Sequence, residues 1–153
     1  EASKSEGSAD ARIEQLCDTG SFEPMWESLA PVDALNFADR VPYRERLKRE
    51  QAKTGHNDAV VAGKGFIKGR GVVLACLDFR FIMASMGCVV GEKITRAAEL
   101  ALEIDRPLVV VCAAGGARMP PQLCCGQINL TRESDGHTRR VGELAPGAGR
   151  PAG

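Results

Sequence analysis

The spacing of hydrophobic residues predicts two helices in the first third of the chain. Residues 10–18 carry apolar side chains at helical spacing. Residues 43–53 form a second, strongly charged helical segment, and such charges usually cover a solvent-exposed face. Between them, residues 21–42 mix aromatic residues with prolines, which predicts an irregular segment that packs through its aromatic side chains. Residues 1–9 are small and polar and are predicted to be a disordered lead.

The pattern changes after the second predicted helix. Residues 58–67 and 72–79 are β-rich runs, and the Lys-Gly-Arg-Gly sequence of residues 68–71 predicts a hairpin turn between them. Residues 88–104 have the periodicity of an amphipathic helix, and residues 108–113 form a short apolar strand. This order of strand, strand, helix and strand predicts an α/β fold.

Composition and charge narrow the function classes. The chain has 153 residues, of which 44% are hydrophobic and 26% are charged, as in an ordinary soluble globular domain. The formal net charge is zero, so no global charge favours nucleic acid or an anionic membrane as a partner. No apolar run approaches the roughly 20 residues that a membrane span needs.

The adjacent glycines Gly115 and Gly116 are the first candidate for a functional site. They follow the last predicted strand, and glycine lets the backbone adopt positive φ and approach a ligand closely. A helix that began just after them would add free N–H groups and the positive end of its dipole. Such a place suits a negatively charged oxygen, as in an oxyanion hole. The two glycines alone are more typical of a tight strand-to-helix turn that binds nothing.

The cysteines and histidines do not predict a metal site. None of the six cysteines forms a C-x-x-C pair, so a zinc ribbon is not expected. His56 lies in a turn-like Gly-His-Asn-Asp segment and is predicted to be exposed rather than a ligand. We therefore expect no bound metal.

Five motifs, in order along the chain, carry a resemblance to a known family. They are Arg12-Ile-Glu-Gln-Leu-Cys-Asp-Thr-Gly-Ser-Phe22, Tyr43-Arg-Glu-Arg-Leu-Lys48, Lys53-Thr-Gly55, Ser85-Met-Gly-Cys-Val-Val-Gly-Glu-Lys-Ile-Thr-Arg96 and Gly115-Gly-Ala-Arg-Met119. With them, residues 11–119 resemble the beta subunit of the carboxyltransferase of acetyl-CoA carboxylase. The resemblance implies that residues 10–119 are a partial crotonase-like domain, an α/β fold built of β-β-α repeats.

The resemblance also implies a reaction and its partners. Members of this family transfer CO2 from carboxybiotin to acetyl-CoA and give malonyl-CoA for fatty-acid synthesis. They act with a carboxyltransferase alpha subunit and a biotin carboxyl carrier protein, so the biotin is carried by a partner and no cofactor is bound covalently to this chain. The implied compartment is the cytoplasm or the plastid stroma.

Site residues follow from the same resemblance. The backbone N–H groups of Gly115 and Gly116 would stabilise the enolate of acetyl-CoA. The residues expected to line the substrate site are Ser85, Met86, Gly87, Ala117 and Arg118.

The chain also departs from the family pattern. The family usually carries a four-cysteine zinc ribbon that this sequence lacks, and Ala84 stands where many members have glycine. After Met119 the family continues into a long helix, which Pro120-Pro121 disfavours here. Residues 120–153 contain few large apolar side chains and are predicted to be an unrelated, disordered tail. We therefore expect this chain to be inactive on its own.

Two other functions stay open at this point. The chain could be a truncated, non-catalytic relative that only binds a partner subunit. The fold that the resemblance implies is also that of Clp-type serine hydrolases, and Ala84-Ser85-Met86-Gly87 resembles their nucleophile motif. A nucleophilic serine needs a base within reach, however, and no histidine lies between His56 and His137.

Overall fold

The computed structural model describes residues 8–33, 36, 38, 40–113, 115, 116 and 118. Its elements, in chain order, are α1 (Ala9–Leu16), β1 (Glu23–Met25), α2 (Tyr43–Thr54), β2 (Val60–Ile67), β3 (Arg70–Leu77), a 3₁₀ turn (Ile82–Ala84), α3 (Cys88–Glu103) and β4 (Leu108–Val111). The predicted order of strand, strand, helix and strand is confirmed. Within these residues, no helix is both long and apolar enough to cross a membrane.

The strands form one sheet in the order β1-β2-β3-β4. β2 is antiparallel to both β1 and β3, whereas β4 is parallel to β3. A parallel pair needs a crossover connection, which α3 supplies. The β2–β3 hairpin turns at Lys68 and Gly69, whose φ values of 50° and 74° suit a tight two-residue turn. The Asp18 carboxylate accepts the N–H groups of both turn residues, at 2.9 and 2.8 Å.

Side chains alternate between the two faces along each strand, and helices cover both faces of the sheet. On one face, Val60 and Leu77 pack in a cluster with Tyr43 and Leu47 of α2 and Val90 of α3. On the other face, three strand residues pack against α1; these are Val61, Leu74 and Cys76. Most of β3 is buried as a result. The chain that follows β3 lies over the first face, because Phe81, Ile82 and Ala84 belong to the same cluster as Val60 and Leu77.

Some boundaries differ from the sequence prediction. α1 begins at Ala9, with Ser8 as its N-cap, so it starts inside the predicted lead; residues 1–7 lie outside the described part. β1 lies within the segment predicted to be irregular, because a three-residue strand containing proline shows no detectable period. The predicted tail, residues 120–153, also lies outside the described residues.

Candidate functional site

Two segments that are about thirty residues apart in sequence meet after β3. The site loop, residues 82–87, runs from the 3₁₀ turn to the start of α3, and the glycine segment comprises residues 115, 116 and 118. Gly115 N–H donates to the Met83 carbonyl and Met86 N–H donates to the Gly116 carbonyl, each at 2.9 Å. Arg118 N–H donates to the Met86 carbonyl, also at 2.9 Å. Six of the predicted site residues are thus brought together: Ser85, Met86, Gly87, Gly115, Gly116 and Arg118. Ala117 lies outside the described residues.

The site loop has a strained backbone. Ile82, Met83 and Ala84 have φ values of 44°, 53° and 52°, in the left-handed region that residues other than glycine rarely adopt. Each such residue costs roughly 1–2 kcal/mol. The conformation is held by hydrogen bonds from Ala84 N–H to the Phe81 carbonyl and from Ser85 N–H to the Ile82 carbonyl. Strain of this kind collects at functional sites, where the surrounding structure fixes it.

Two kinds of backbone N–H group lie at the junction of these segments. Gly116 has a φ of 118°, and its N–H has no acceptor among the described residues. α3 begins just after Gly87, and Gly91 N–H makes the first bond of its ladder, to the Gly87 carbonyl. The N–H groups of the first turn of α3 therefore have no acceptor within the helix, and the positive end of the helix dipole lies here. This arrangement can stabilise a negatively charged oxygen.

The other predicted donor is already engaged. The N–H of Gly115 bonds to the Met83 carbonyl, so it can bind a substrate oxygen only if that bond opens. A Cβ on Gly115 would lie 3.0 Å from the same carbonyl oxygen, whereas a Cβ on Gly116 would meet no atom within 4 Å. The open space is therefore at Gly116.

Arg118 lies behind the site rather than at its surface, with 5% of the residue exposed. Its Nη2 donates to Asp58 Oδ1 at 2.7 Å and to the Ser85 carbonyl at 2.8 Å. Its Nη1 donates to the Tyr43 hydroxyl at 3.0 Å, and its Nε donates to Ser85 Oγ at 3.1 Å. Burial disfavours its charge, but the Asp58 carboxylate outweighs this and raises the pKa of Arg118 above its ordinary value.

A second buried cation lies nearby on α3. Lys93 is 4% exposed, and its Nζ donates to the Val60 carbonyl at 3.3 Å. Burial lowers the pKa of Lys93 below its ordinary value, although the charge of Asp58 opposes this. Asp58 is fully buried, and its Oδ2 has no hydrogen-bond partner in the described part of the chain. The buried charges of Arg118, Lys93 and Asp58 beneath the site are therefore only partly paired with one another.

Sequence reasoning missed Tyr43, Asp58 and Lys93. Lys93 could have been found, because it lies four residues from both Val89 and Ala97 on the apolar face of the predicted helix. Tyr43 is the first residue of α2 and Asp58 precedes β2. Helical or strand periodicity therefore does not identify either residue as buried. Their role depends on a contact with Arg118 across 75 and 60 residues of chain.

A separate polar cluster lies on the α1 side of the sheet. His56 Nε2 is 2.9 Å from Asp10 Oδ2 and 4.0 Å from Asp78 Oδ2, so these three residues are close enough to share a metal ion. Arg80, however, already donates to both carboxylate oxygens of Asp78, at 3.0 and 2.7 Å. Burial alone would raise the pKa of Asp78, but Arg80 lowers it below its ordinary value. The Asp78 carboxylate is therefore already paired with a cationic side chain.

The sequence and the fold both match known proteins. Residues 3–128 match the model of the carboxyl transferase domain family. The chain belongs to this family. It is 53% identical over 111 residues to the acetyl-CoA carboxylase carboxyl transferase subunit beta of Synechococcus sp. strain RCC307, which covers 72% of this chain and 38% of that protein. It is also 53% identical over 108 residues to the fused beta/alpha subunits of Saccharopolyspora erythraea, covering 71% of this chain and 19% of the relative.

Solved structures give the same fold. A transcarboxylase 12S structure with methylmalonyl-CoA and methylmalonic acid bound superposes with a TM-score of 0.62 at 25% identity, covering 82% of this chain and 22% of that one. A Pseudomonas malonate decarboxylase heterodimer has a TM-score of 0.51 at 24% identity, covering 91% of this chain and 45% of that chain. The expected partial crotonase-like α/β fold of this carboxyl transferase domain is confirmed, and the chain spans well under half the length of the curated relatives it matches.

Proposed function

We propose that this chain supplies the acyl-CoA side of a carboxyltransferase that converts acetyl-CoA to malonyl-CoA. The observation that carries the proposal is the Gly116 N–H, which has positive φ, open space beside it and no acceptor among the described residues. The N-terminus of α3 adds positive potential at the same junction. The curated relatives named above are acetyl-CoA carboxylase subunits, which supports acetyl-CoA as the acceptor.

The proposed reaction does not require a side chain of this protein as a base. A carboxybiotin on the carrier partner would supply CO2 by cleavage of its N–CO2 bond, and the ureido nitrogen freed in this way would be the base for one methyl proton of acetyl-CoA. The enolate carbon then bonds to CO2, so malonyl-CoA and biotin are the products and no protein base is consumed. The task of this chain is to hold the thioester oxygen while it carries negative charge, and the Gly116 N–H with the α3 terminus would do so. Fixed orientation of the thioester adds to the acceleration.

The partners are part of the proposal. An alpha subunit would bind the carboxybiotin and complete the site, and a biotin carboxyl carrier protein would deliver it. We expect the chain alone to be inactive for this reason. The non-catalytic alternative is a chain that binds the alpha subunit but gives no turnover.

The serine hydrolase alternative has little support. Ser85 Oγ accepts a hydrogen bond from Arg118 Nε, and a guanidinium cannot act as a base for the serine. His56 is the one histidine among the described residues, and it pairs with Asp10 on the α1 side.

Malonyl-CoA formation tests the proposal. The chain is mixed with an alpha subunit, carboxybiotin and acetyl-CoA, and product is followed by mass spectrometry. A second form carries the helix of the Synechococcus relative after Met119. We expect product from at least one of the two complexes and none from the chain alone. A complex that assembles in both forms yet makes no malonyl-CoA would favour the non-catalytic alternative.

A pair of variants tests the donor itself. Gly116→Pro deletes the N–H and also moves φ from 118° to about −65°, whereas Gly116→Ala keeps the N–H and is strained at that φ although its Cβ would meet no atom within 4 Å. Loss of one oxyanion donor costs roughly 2.7–4 kcal/mol, so the proline variant should lose about 10²–10³ in rate. The alanine variant also disfavours the native φ but keeps the donor, so a smaller loss in it than in the proline variant is expected if the N–H contributes. Equal losses in the two variants would remove Gly116 N–H from the mechanism.

A further inference from the structure

We propose that Arg118 is a positioning residue, which fixes the direction of the Gly116 N–H by joining the site loop and the glycine segment to the core. This rests on the proposed function, since it assigns how that site is held. The resemblance places Arg118 among residues that line the substrate. Its burial, with 5% of the residue exposed, favours a role beneath the site instead.

The guanidinium contacts three parts of the fold at once. It donates to Ser85 of the site loop, to the Tyr43 hydroxyl at the start of α2 and to Asp58 before β2. Its donor edges are therefore directed at protein acceptors, and a CoA phosphate would have to displace them. Because the guanidinium is planar with several fixed donors, it can reach all four acceptor atoms of these three residues together, which a lysine ammonium cannot do.

The main chain of the same residue holds the loop from the other side. Arg118 N–H donates to the Met86 carbonyl, and Met86 N–H donates to the Gly116 carbonyl. The guanidinium also packs on the start of α3, because a Cβ on Gly87 would lie only 2.9 Å from Nη1 and 3.2 Å from Cζ. The two backbone donors of the proposed site, at Gly116 and at the α3 terminus, are thus both set by contacts of one residue, the first through its main chain and the second through its guanidinium.

The buried carboxylate of Asp58 explains why residue 118 carries a positive charge. Asp58 Oδ1 accepts from Arg118 Nη2 and from Ala59 N–H, each at 2.7 Å. A buried carboxylate without a cation is strongly disfavoured. The ion pair therefore fixes the guanidinium at one position in the core.

Hydrogen exchange of the full chain tests whether Arg118 holds the site loop and the glycine segment in place. Arg118→Lys keeps the charge and removes the multiple contacts, and Arg46→Lys, at an exposed position of α2, is the matched control. We expect the Met86 and Gly115 amides to exchange about 10- to 100-fold faster in Arg118→Lys, as for a lost charge-assisted contact, while the β2–β3 amides stay unchanged. Unchanged exchange at Met86 and Gly115, or an equal increase throughout the sheet, would overturn the proposal.

A variant with a smaller change covers the case in which Arg118→Lys does not fold. Tyr43→Phe removes one acceptor of Arg118 and keeps the ring in the core. It should accelerate the same two amides to a smaller degree. If Arg118→Lys does not fold, this variant decides the question, and no change at those amides would refute the proposal.

Ligand binding separates positioning from direct contact. A phosphate contact would make Arg118→Lys weaken acetyl-CoA more than acetyl-pantetheine, which lacks the nucleotide phosphates. Positioning predicts that both weaken by the same factor, and that kcat of the complex with the alpha subunit falls. A loss confined to acetyl-CoA would contradict positioning. Hydrogen exchange needs no substrate, so it tests the positioning role separately from the proposed function. Either claim can fail while the other stands.

Discussion

The strained site loop allows a prediction with a built-in control. Ala84 and Ala75 are both fully buried in the same core cluster, but Ala84 has a φ of 52° and Ala75 lies in the middle of β3. Replacing each alanine with glycine removes one buried methyl group and adds backbone freedom to the unfolded chain. Only at Ala84 does the change also relieve a left-handed conformation.

The magnitudes follow from these differences. Loss of a buried methyl group costs about 0.8 kcal/mol, and glycine in a regular element costs roughly 0.5–1 kcal/mol. Ala75→Gly should therefore destabilise the protein by about 1.3–1.8 kcal/mol. At Ala84 the relief of roughly 1–2 kcal/mol offsets this, so the free energy of unfolding should change little.

Urea unfolding at 25 °C measures the comparison, with the midpoint and slope determined for wild type and both variants. We expect Ala84→Gly to be more stable than Ala75→Gly by roughly 1–2 kcal/mol, with equal slopes. Equal destabilisation in the two variants would show that the loop carries no strain at Ala84 and would refute the reasoning.

Three pH predictions concern buried ionisable groups, each followed as the free energy of unfolding across a pH series. The pKa of Lys93 is lowered from 10.5, so the unfolded state binds more protons at alkaline pH and stability rises with pH up to about 10.5; Lys93→Met should abolish this rise. The pKa of Cys76 is raised from 9.0 to about 11, so stability falls between these values, and Cys76→Ala should remove the fall; a fall that persists contradicts the assignment. The pKa of Asp78 is lowered from 3.8, so stability falls as pH drops below 3.8, and this acid slope should be reduced by Arg80→Met.

Much of the fold could be predicted because its elements obey simple periods. The hairpin of β2 and β3, the amphipathic α3 and the apolar β4 each show their own pattern. β1 could not be found, since three residues show no period. The left-handed turn at Ile82–Ala84 also escaped, because these residues are not ones that favour positive φ.

The candidate site was predictable only in part. Gly115 and Gly116 stand out as a strand end, and the resemblance adds Ser85, Met86 and Gly87. That Gly115 N–H is engaged with the site loop could not be read from the sequence, because it depends on the path of a strained loop. The buried contacts of Arg118 are equally invisible, since they join segments far apart in the chain.

The central claim is that Gly116 N–H receives the thioester oxygen of acetyl-CoA, and an amide NMR titration tests it most directly. The isotope-labelled chain is titrated with acetyl-CoA and, separately, with S-ethyl-CoA, a thioether without the carbonyl oxygen. The account predicts that the Gly116 amide shifts downfield with acetyl-CoA and much less with the thioether, while Gly69 in the distant hairpin turn does not respond. Equal shifts with the two ligands, or shifts confined to the Asp10 and His56 surface, would contradict it.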